Sequence, residues 1–154
     1  MSLKIYIAGP DVFSSDAVEI GKKYKALCEK LGFEGLYPLD NVCSTSKEIA
    51  EGNFGLIDKC DVVVANMNPF RGKEPDSGTC CEIGYAIAKG KKVICYMSDT
   101  RPMVAKYGTV DKNGMSVENF GHPLNLMIAE KADIIEGGFE TAIYQLYAWR
   151  YNKK

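Results

Sequence analysis

The sequence is short of the residues that metal and polyanion sites are built from. It holds one histidine, His122, in 154 residues and no Cys-x-x-Cys, so a zinc site lacks its ligand set. It has no excess of charge: 19 Lys+Arg stand against 20 Asp+Glu, a formal net charge of −1. No field of one sign is available to draw the chain onto nucleic acid or an anionic membrane. No apolar run approaches the roughly 20 residues of a membrane-spanning helix, and Met1-Ser2-Leu3-Lys4 leads into strand-like sequence without a signal-peptide core. The expectation is a cytoplasmic protein with no metal, no nucleic-acid partner and no membrane. Neither Gly-x-Gly-x-x-Gly nor Gly-x-x-x-x-Gly-Lys-Ser/Thr follows the first strand-like run, which removes the dinucleotide-binding and P-loop readings.

What is present is the composition of one ordinary globular domain spanning 1–154: 46% hydrophobic and 25% charged residues, with 15 Gly and 6 Pro. Six cysteines, at 28, 43, 60, 80, 81 and 95, accompany a chain long enough to bury a core without disulfides, and most read as small apolar residues.

Strand-like and helix-like patterns alternate along the chain. Lys4-Ile-Tyr-Ile-Ala8 is β-prone and stops at Gly9-Pro10; residues 16–31 have helical spacing. A strand is expected over 33–38, a helix over 46–59 with Ser44 to Ser46 offering caps, and a strand over 61–66. The unbroken Val62-Val-Val-Ala65 within that strand marks it as central and covered on both faces. A helix over 79–89, a strand over 92–97, a short helix over 124–131, a strand over 132–135 and a helix over 139–151 complete the series. The alternation predicts an α/β fold: a flavodoxin-like, doubly wound, five-stranded parallel sheet of order 2-1-3-4-5. Residues 97–124 lack strong periodicity, and a segment of that length in a compact domain is usually functional or disordered.

In such a sheet ligands bind beyond the carboxyl ends of the strands where the order reverses, here between the first and third strands. The loops there begin at Gly9 and at Asn66. Gly9 is a simple turn residue or a place where backbone lets a small ligand approach closely. Tyr6 is a strand aromatic or a hydroxyl aimed into the crevice, and Phe13 a core residue or a stacking wall for a planar ring. Asp76-Ser-Gly-Thr-Cys-Cys-Glu82 carries most weight. Thr79-x-x-Glu82 fits a capping box; alternatively Glu82, near a helix N-terminus that favours its ionised form, is a carboxylate nucleophile. Asp76 lies across a turn that includes Gly78. It is a turn aspartate or the second member of a carboxyl pair, whose mutual repulsion separates an acid from a nucleophile. Retaining glycosidases work with such a pair.

Taken together, Tyr6-Ile-Ala-Gly-Pro-Asp-Val-Phe13, Asn68-Pro-Phe-Arg-Gly72, Glu74-Pro-Asp-Ser-Gly-Thr79, Glu82-Ile-Gly-Tyr-Ala86 and Gly121-His-Pro-Leu-Asn-Leu-Met127 resemble the nucleoside 2-deoxyribosyltransferases, particularly the trypanosomal type. The resemblance implies transfer of 2-deoxyribose between purine or pyrimidine bases, without metal or organic cofactor. It assigns the nucleophile to Glu82, proton exchange with the base to Asp76, and orientation of the nucleophile to Tyr6. Phe13 becomes a wall of the base pocket, Gly9 and Gly78 flank the substrate, and Asn53 lies near the base; Asp40-Asn41 is a weaker match. Asn125 matches an asparagine that a neighbouring subunit lends to the sugar hydroxyls, which implies a homo-oligomer, at least a dimer. Asn66 stands where the trypanosomal relatives have aspartate. The alternative within this chemistry is a 2-deoxynucleoside 5′-monophosphate N-glycosidase, for which Arg71 and Lys73 are the basic residues of the crevice loop. A phosphorylatable receiver domain would need an aspartate at position 66 and an acidic pair after the first strand, and a flavin carrier several hydroxyls in the first loop; the chain offers neither.

Overall fold

The computed structural model describes residues 1–151. Five strands, β1 (Leu3–Ala8), β2 (Phe33–Leu36), β3 (Val62–Asn66), β4 (Lys92–Met97) and β5 (Asp133–Glu136), form one sheet. All pairings are parallel, in the order β2-β1-β3-β4-β5, as the alternation predicts.

The period of two in each strand divides the core into halves. Ile5, Ile7, Val62, Val64, Ile94 and Tyr96 face one side, against α1 (Ala17–Lys30) and α6 (Phe139–Tyr151). Tyr6, Ala8, Val63, Ala65, Val93, Cys95 and Met97 face the other, against α2 (Ser46–Lys59) and α3 (Ser77–Ala88). β3 is buried on both sides from Val62 to Ala65, so its lack of polar alternation has a direct cause. Of the cysteines, Cys28, Cys60 and Cys95 are buried as small apolar residues, while Cys81 is exposed.

Several boundaries differ from the expected ones. β2 ends at Leu36 because Pro38 starts a short 3-10 turn, Pro38–Asp40, where its missing N–H costs no ladder bond. Residues 10–13 form a second 3-10 turn rather than a simple bend. α2 is closed by a complete capping box: Thr45 Oγ1 accepts from the Glu48 amide at 3.2 Å, and the Glu48 carboxylate accepts from the Thr45 amide at 3.1 Å. α3 starts at Ser77, two residues before the expected Thr79.

The 97–124 segment is ordered by contacts that its composition hides. It contains α4 (Met103–Tyr107) and the antiparallel bridge Val110↔Ser116. The Asp111 carboxylate closes that bend by accepting from the amides of Asn113 (2.8 Å) and Met115 (2.9 Å). The Tyr107 hydroxyl donates to the Lys73 carbonyl at 2.9 Å, which ties the segment to the loop after β3. A last short helix, α5 (Leu126–Ala129), follows it. Among the described residues, no helix is long and apolar enough to cross a membrane.

Candidate active site

The crevice at the switch point begins where β1 and β3 end side by side. Gly9 has φ 151°, and a Cβ there would lie 2.7 Å from the Asn66 Cβ and 2.9 Å from the Asp11 carboxylate. Glycine is thus required by the chain's own close approach to β3. Asn66 Nδ2 donates to Asp11 (3.2 Å), and its Oδ1 accepts from the Asn68 amide (3.1 Å) and Nδ2 (2.8 Å). Asn68 Oδ1 in turn accepts from Ser98 N at 2.9 Å and Oγ at 3.0 Å. A polar strap therefore joins the loops after β1, β3 and β4. An aspartate at 66 would set a carboxylate against Asp11; the asparagine supplies a donor.

Glu82 meets Tyr6 in the wall of this crevice. Tyr6 is fully buried and its hydroxyl donates to Glu82 Oε2. Burial pushes the Glu82 carboxyl up to about 7; the Tyr6 hydrogen bond opposes that shift, and the Asp76 charge adds to it. Burial, reinforced by the adjacent Glu82 charge, also raises the Tyr6 hydroxyl, so it remains a donor. The capping-box reading of Glu82 is excluded by position. The N-cap is Asp76, whose Oδ2 accepts from the Thr79 amide (3.0 Å) and hydroxyl (2.8 Å). Glu82 consequently lies in the second turn of α3, beyond reach of the cap. Gly78 is in the first turn, where a Cβ would meet only the Asp76 carboxylate, at 3.3 Å.

Phe13, 58% exposed, is no core residue. Its ring stacks on Phe70, with centroids 5.5 Å apart and planes 14° apart. The loops after β1 and β3 are thus joined by a stacked aromatic pair.

The crevice thus holds a carboxylate hydrogen-bonded by a buried tyrosine, a second carboxylate at the N-terminus of the same helix, and a stacked aromatic pair on the loops after β1 and β3. The family model for nucleoside 2-deoxyribosyltransferase matches residues 5–127. The solved structure of a 2-desoxiribosyltransferase from Leishmania mexicana is 42% identical, with TM-score 0.87, over 94% of this chain and 97% of that one. The chain belongs to the nucleoside 2-deoxyribosyltransferase family. Membership makes it an enzyme of the glycosyltransferase class, acting on N-glycosidic bonds. A conserved protein from Enterococcus faecalis, 26% identical, aligns with TM-score 0.65 over 95% of this chain and 99% of its own. An uncharacterized protein of Schizosaccharomyces pombe is 34% identical over 107 residues, 63% of this chain. The deoxyribosyltransferase-family chain spans about half the length (51%) of that curated relative.

The remaining residues singled out from this family's pattern are not all brought together. Asn53 sits on α2 one turn before buried Ile57, and its Oδ1 is buried without a hydrogen-bond partner among the described residues. Asp40 is committed elsewhere, accepting from the Tyr37 amide at 2.9 Å and pairing with Lys25. Asn125 is the N-cap of α5, its Oδ1 accepting from the Met127 amide at 3.0 Å. It lines a groove of about 690 Å³ with Ile83, Ile87, Leu126 and Met127. Helical spacing places that groove on the flank of α3 opposite Glu82, so within one chain Asn125 does not face Glu82. Phe70 and Asp11 were legible only as members of motifs, because their roles arise from pairing across loops.

Proposed function

We propose that this protein exchanges the bases of 2-deoxynucleosides through a covalent deoxyribosyl-glutamate. The ionised Glu82 carboxylate attacks the anomeric carbon, forming a C–O ester bond as the N-glycosidic bond breaks. The bonding electrons leave with the base, and Asp76 donates the proton that the departing base needs. A second base then attacks the same carbon, returns its proton to Asp76 and releases Glu82. Tyr6 holds the carboxylate in one orientation and favours its charged form. The Tyr6–Glu82 contact carries this reading: burial alone would leave the carboxyl neutral and inert. Asp76 uses Oδ2 to cap α3, which leaves Oδ1 for the base.

The substrate pocket has Phe13 as its aromatic wall, Gly9 and Gly78 at its edges, and Asn53 Oδ1 as an acceptor for a ligand N–H. Asn125 reaches a site only from a neighbouring copy, so the proposal includes a homo-oligomer, at least a dimer. The substrates are deoxynucleosides and free bases, in cytoplasmic nucleoside salvage, with no cofactor.

Incubation with deoxyinosine and no acceptor base should leave a deoxyribosyl mass adduct on the peptide that contains Glu82. Adding adenine should discharge it as deoxyadenosine. Release of free deoxyribose 5-phosphate from a deoxynucleotide without base exchange would sink the transferase reading in favour of the N-glycosidase.

A further inference from the structure

The turn that carries Asn125 is held from outside by α4, which sends it two donors. The Met103 amide donates to the His122 carbonyl at 2.9 Å, and the Lys106 ammonium donates to the Pro123 carbonyl at 2.9 Å. Lys106 also donates to the Asp99 carbonyl at 3.3 Å, so one half-buried ammonium joins the two ends of the 99–123 excursion. Met103 and Leu124 are buried and anchor the two sides of this clip. Two residues beyond Pro123, Asn125 is exposed. Its Oδ1 is committed to the Met127 amide, which leaves its Nδ2 to donate outward, away from the carboxylates of its own chain.

We infer that Lys106 is a positioning residue for the active site of the neighbouring copy: from α4 it fixes the 122–125 turn, and so aims the Asn125 amide at the sugar hydroxyls bound there. The inference rests on the base-exchange reading and on the shared site it includes. An amide lent across an interface is useful only while its turn stands at one height, since a displacement of about 1 Å forfeits a positioning contact. Lysine suits the task, because a compact ammonium with three donors serves two converging carbonyls without a carboxylate. The His122–Glu130 pair, 2.7 Å across the same turn, is the weaker support: the Glu130 side chain is 63% exposed, and water screens the contact. Methionine in place of Lys106 keeps the stem and removes both donors, while Met103 and Leu124 remain to hold the fold.

The test measures kcat/KM for exchange between deoxyinosine and adenine in wild type, Lys106→Met, Asn125→Ala and the double variant, with thermal melts to confirm folding. Should Lys106→Met not fold, the milder Lys106→Gln goes through the same cycle. Asn125→Ala should lower kcat/KM about 5- to 150-fold, the loss that follows when a substrate hydroxyl is left unpaired. Lys106→Met should lower it at least about threefold alone and cost nothing further in the Asn125→Ala background. Co-expression of Lys106→Met with Glu82→Gln, purified through two tags, makes mixed oligomers in which a site with Glu82 receives its Asn125 turn from a chain that keeps Lys106. Their kcat/KM per Glu82 should rise several-fold above that of Lys106→Met alone. Wild-type activity in Lys106→Met, an unchanged kcat/KM in Asn125→Ala, a Lys106→Met loss that persists in the Asn125→Ala background, or one that mixing does not relieve, overturns the inference and leaves base exchange standing. Absence of exchange in wild type refutes the function instead. Calorimetric affinities for deoxyinosine in the same four proteins then decide: losses that fail to add support the inference, and additive losses overturn it.

Discussion

Two buried tyrosines on opposite faces of the sheet have nearly the same surroundings and different fates. Tyr6 on β1 is 0% exposed and Tyr96 on β4 is 3% exposed, and burial is the largest cause raising both hydroxyls. The Tyr6 hydroxyl has a carboxylate to donate to. The Tyr96 hydroxyl has no hydrogen-bond partner; it packs edge-on to Phe139 at 6.2 Å, with Tyr24 stacked on the same ring at 4.0 Å. Asp11 and Tyr24 lie near enough to raise the Tyr96 hydroxyl further, but no carboxylate accepts from it. Tyr37 on that face is also unpartnered, its hydroxyl pushed up to about 12 by burial. Burial alone therefore makes an inert hydroxyl. Chemistry arises where a helix starting at the carboxyl end of the sheet delivers an acid to it.

The largest expected effect is at the acid. Glu82→Gln should lower base exchange at least about a thousandfold, as loss of a covalent nucleophile does, with the fold intact. Its titration also leaves a mark on stability. Because folding raises this carboxyl from 4.5 to about 7, the folded protein retains a proton that the unfolded chain releases between those values. Stability should fall as pH rises through that window, by up to about 3 kcal/mol, and level off above it. Denaturant melts at a series of pH values should show this slope in wild type and its loss in Glu82→Gln. Activity runs the other way, since the nucleophile must be ionised: exchange should rise with pH along a limb near 7.

Tyr6→Phe should slow exchange about 10- to 100-fold, the range of a hydrogen bond to a charged group. It should also move the kinetic limb to higher pH, because that bond lowers the Glu82 pKa. An unmoved limb would reduce Tyr6 to packing, like Tyr96. Asp76→Asn should move the limb to lower pH, since the Asp76 charge raises Glu82, while slowing departure of bases that need protonation. Asparagine retains the α3 cap, whereas Asp76→Ala should also cost about 1 kcal/mol in melts. Tyr96→Phe should change exchange least. Removing a buried hydroxyl without a partner should leave stability equal or higher by about 1 kcal/mol, and a large loss of activity there would break the contrast between the faces.

The sequence contains Thr-x-x-Glu at 45–48 and at 79–82, and local spacing cannot tell them apart. Only the first is a capping box; the second starts inside α3, because Asp76 takes the cap. Phe13 and Gly9 show the same limit. The exposed ring was legible as a candidate wall, but its partner Phe70 was not, and the reason for glycine at 9 is a strand 57 residues away at Asn66. α4 within 97–124 escaped periodicity because a helix of five residues is too short to display it.

Sheet order, the central strand, the helices and the crevice loops follow from the sequence by itself, because hydrophobic period, turn residues and right-handed crossovers act over short spans and leave little topological choice. Only the tertiary structure decided that Glu82 is an acid held by Tyr6 rather than a cap. Those residues are 76 apart in the chain, and their pairing depends on which face of β1 and which flank of α3 meet. Their separation from Asn125 was decided in the same way, by the turn of α3 that sets Glu82 and the α5 groove on opposite sides.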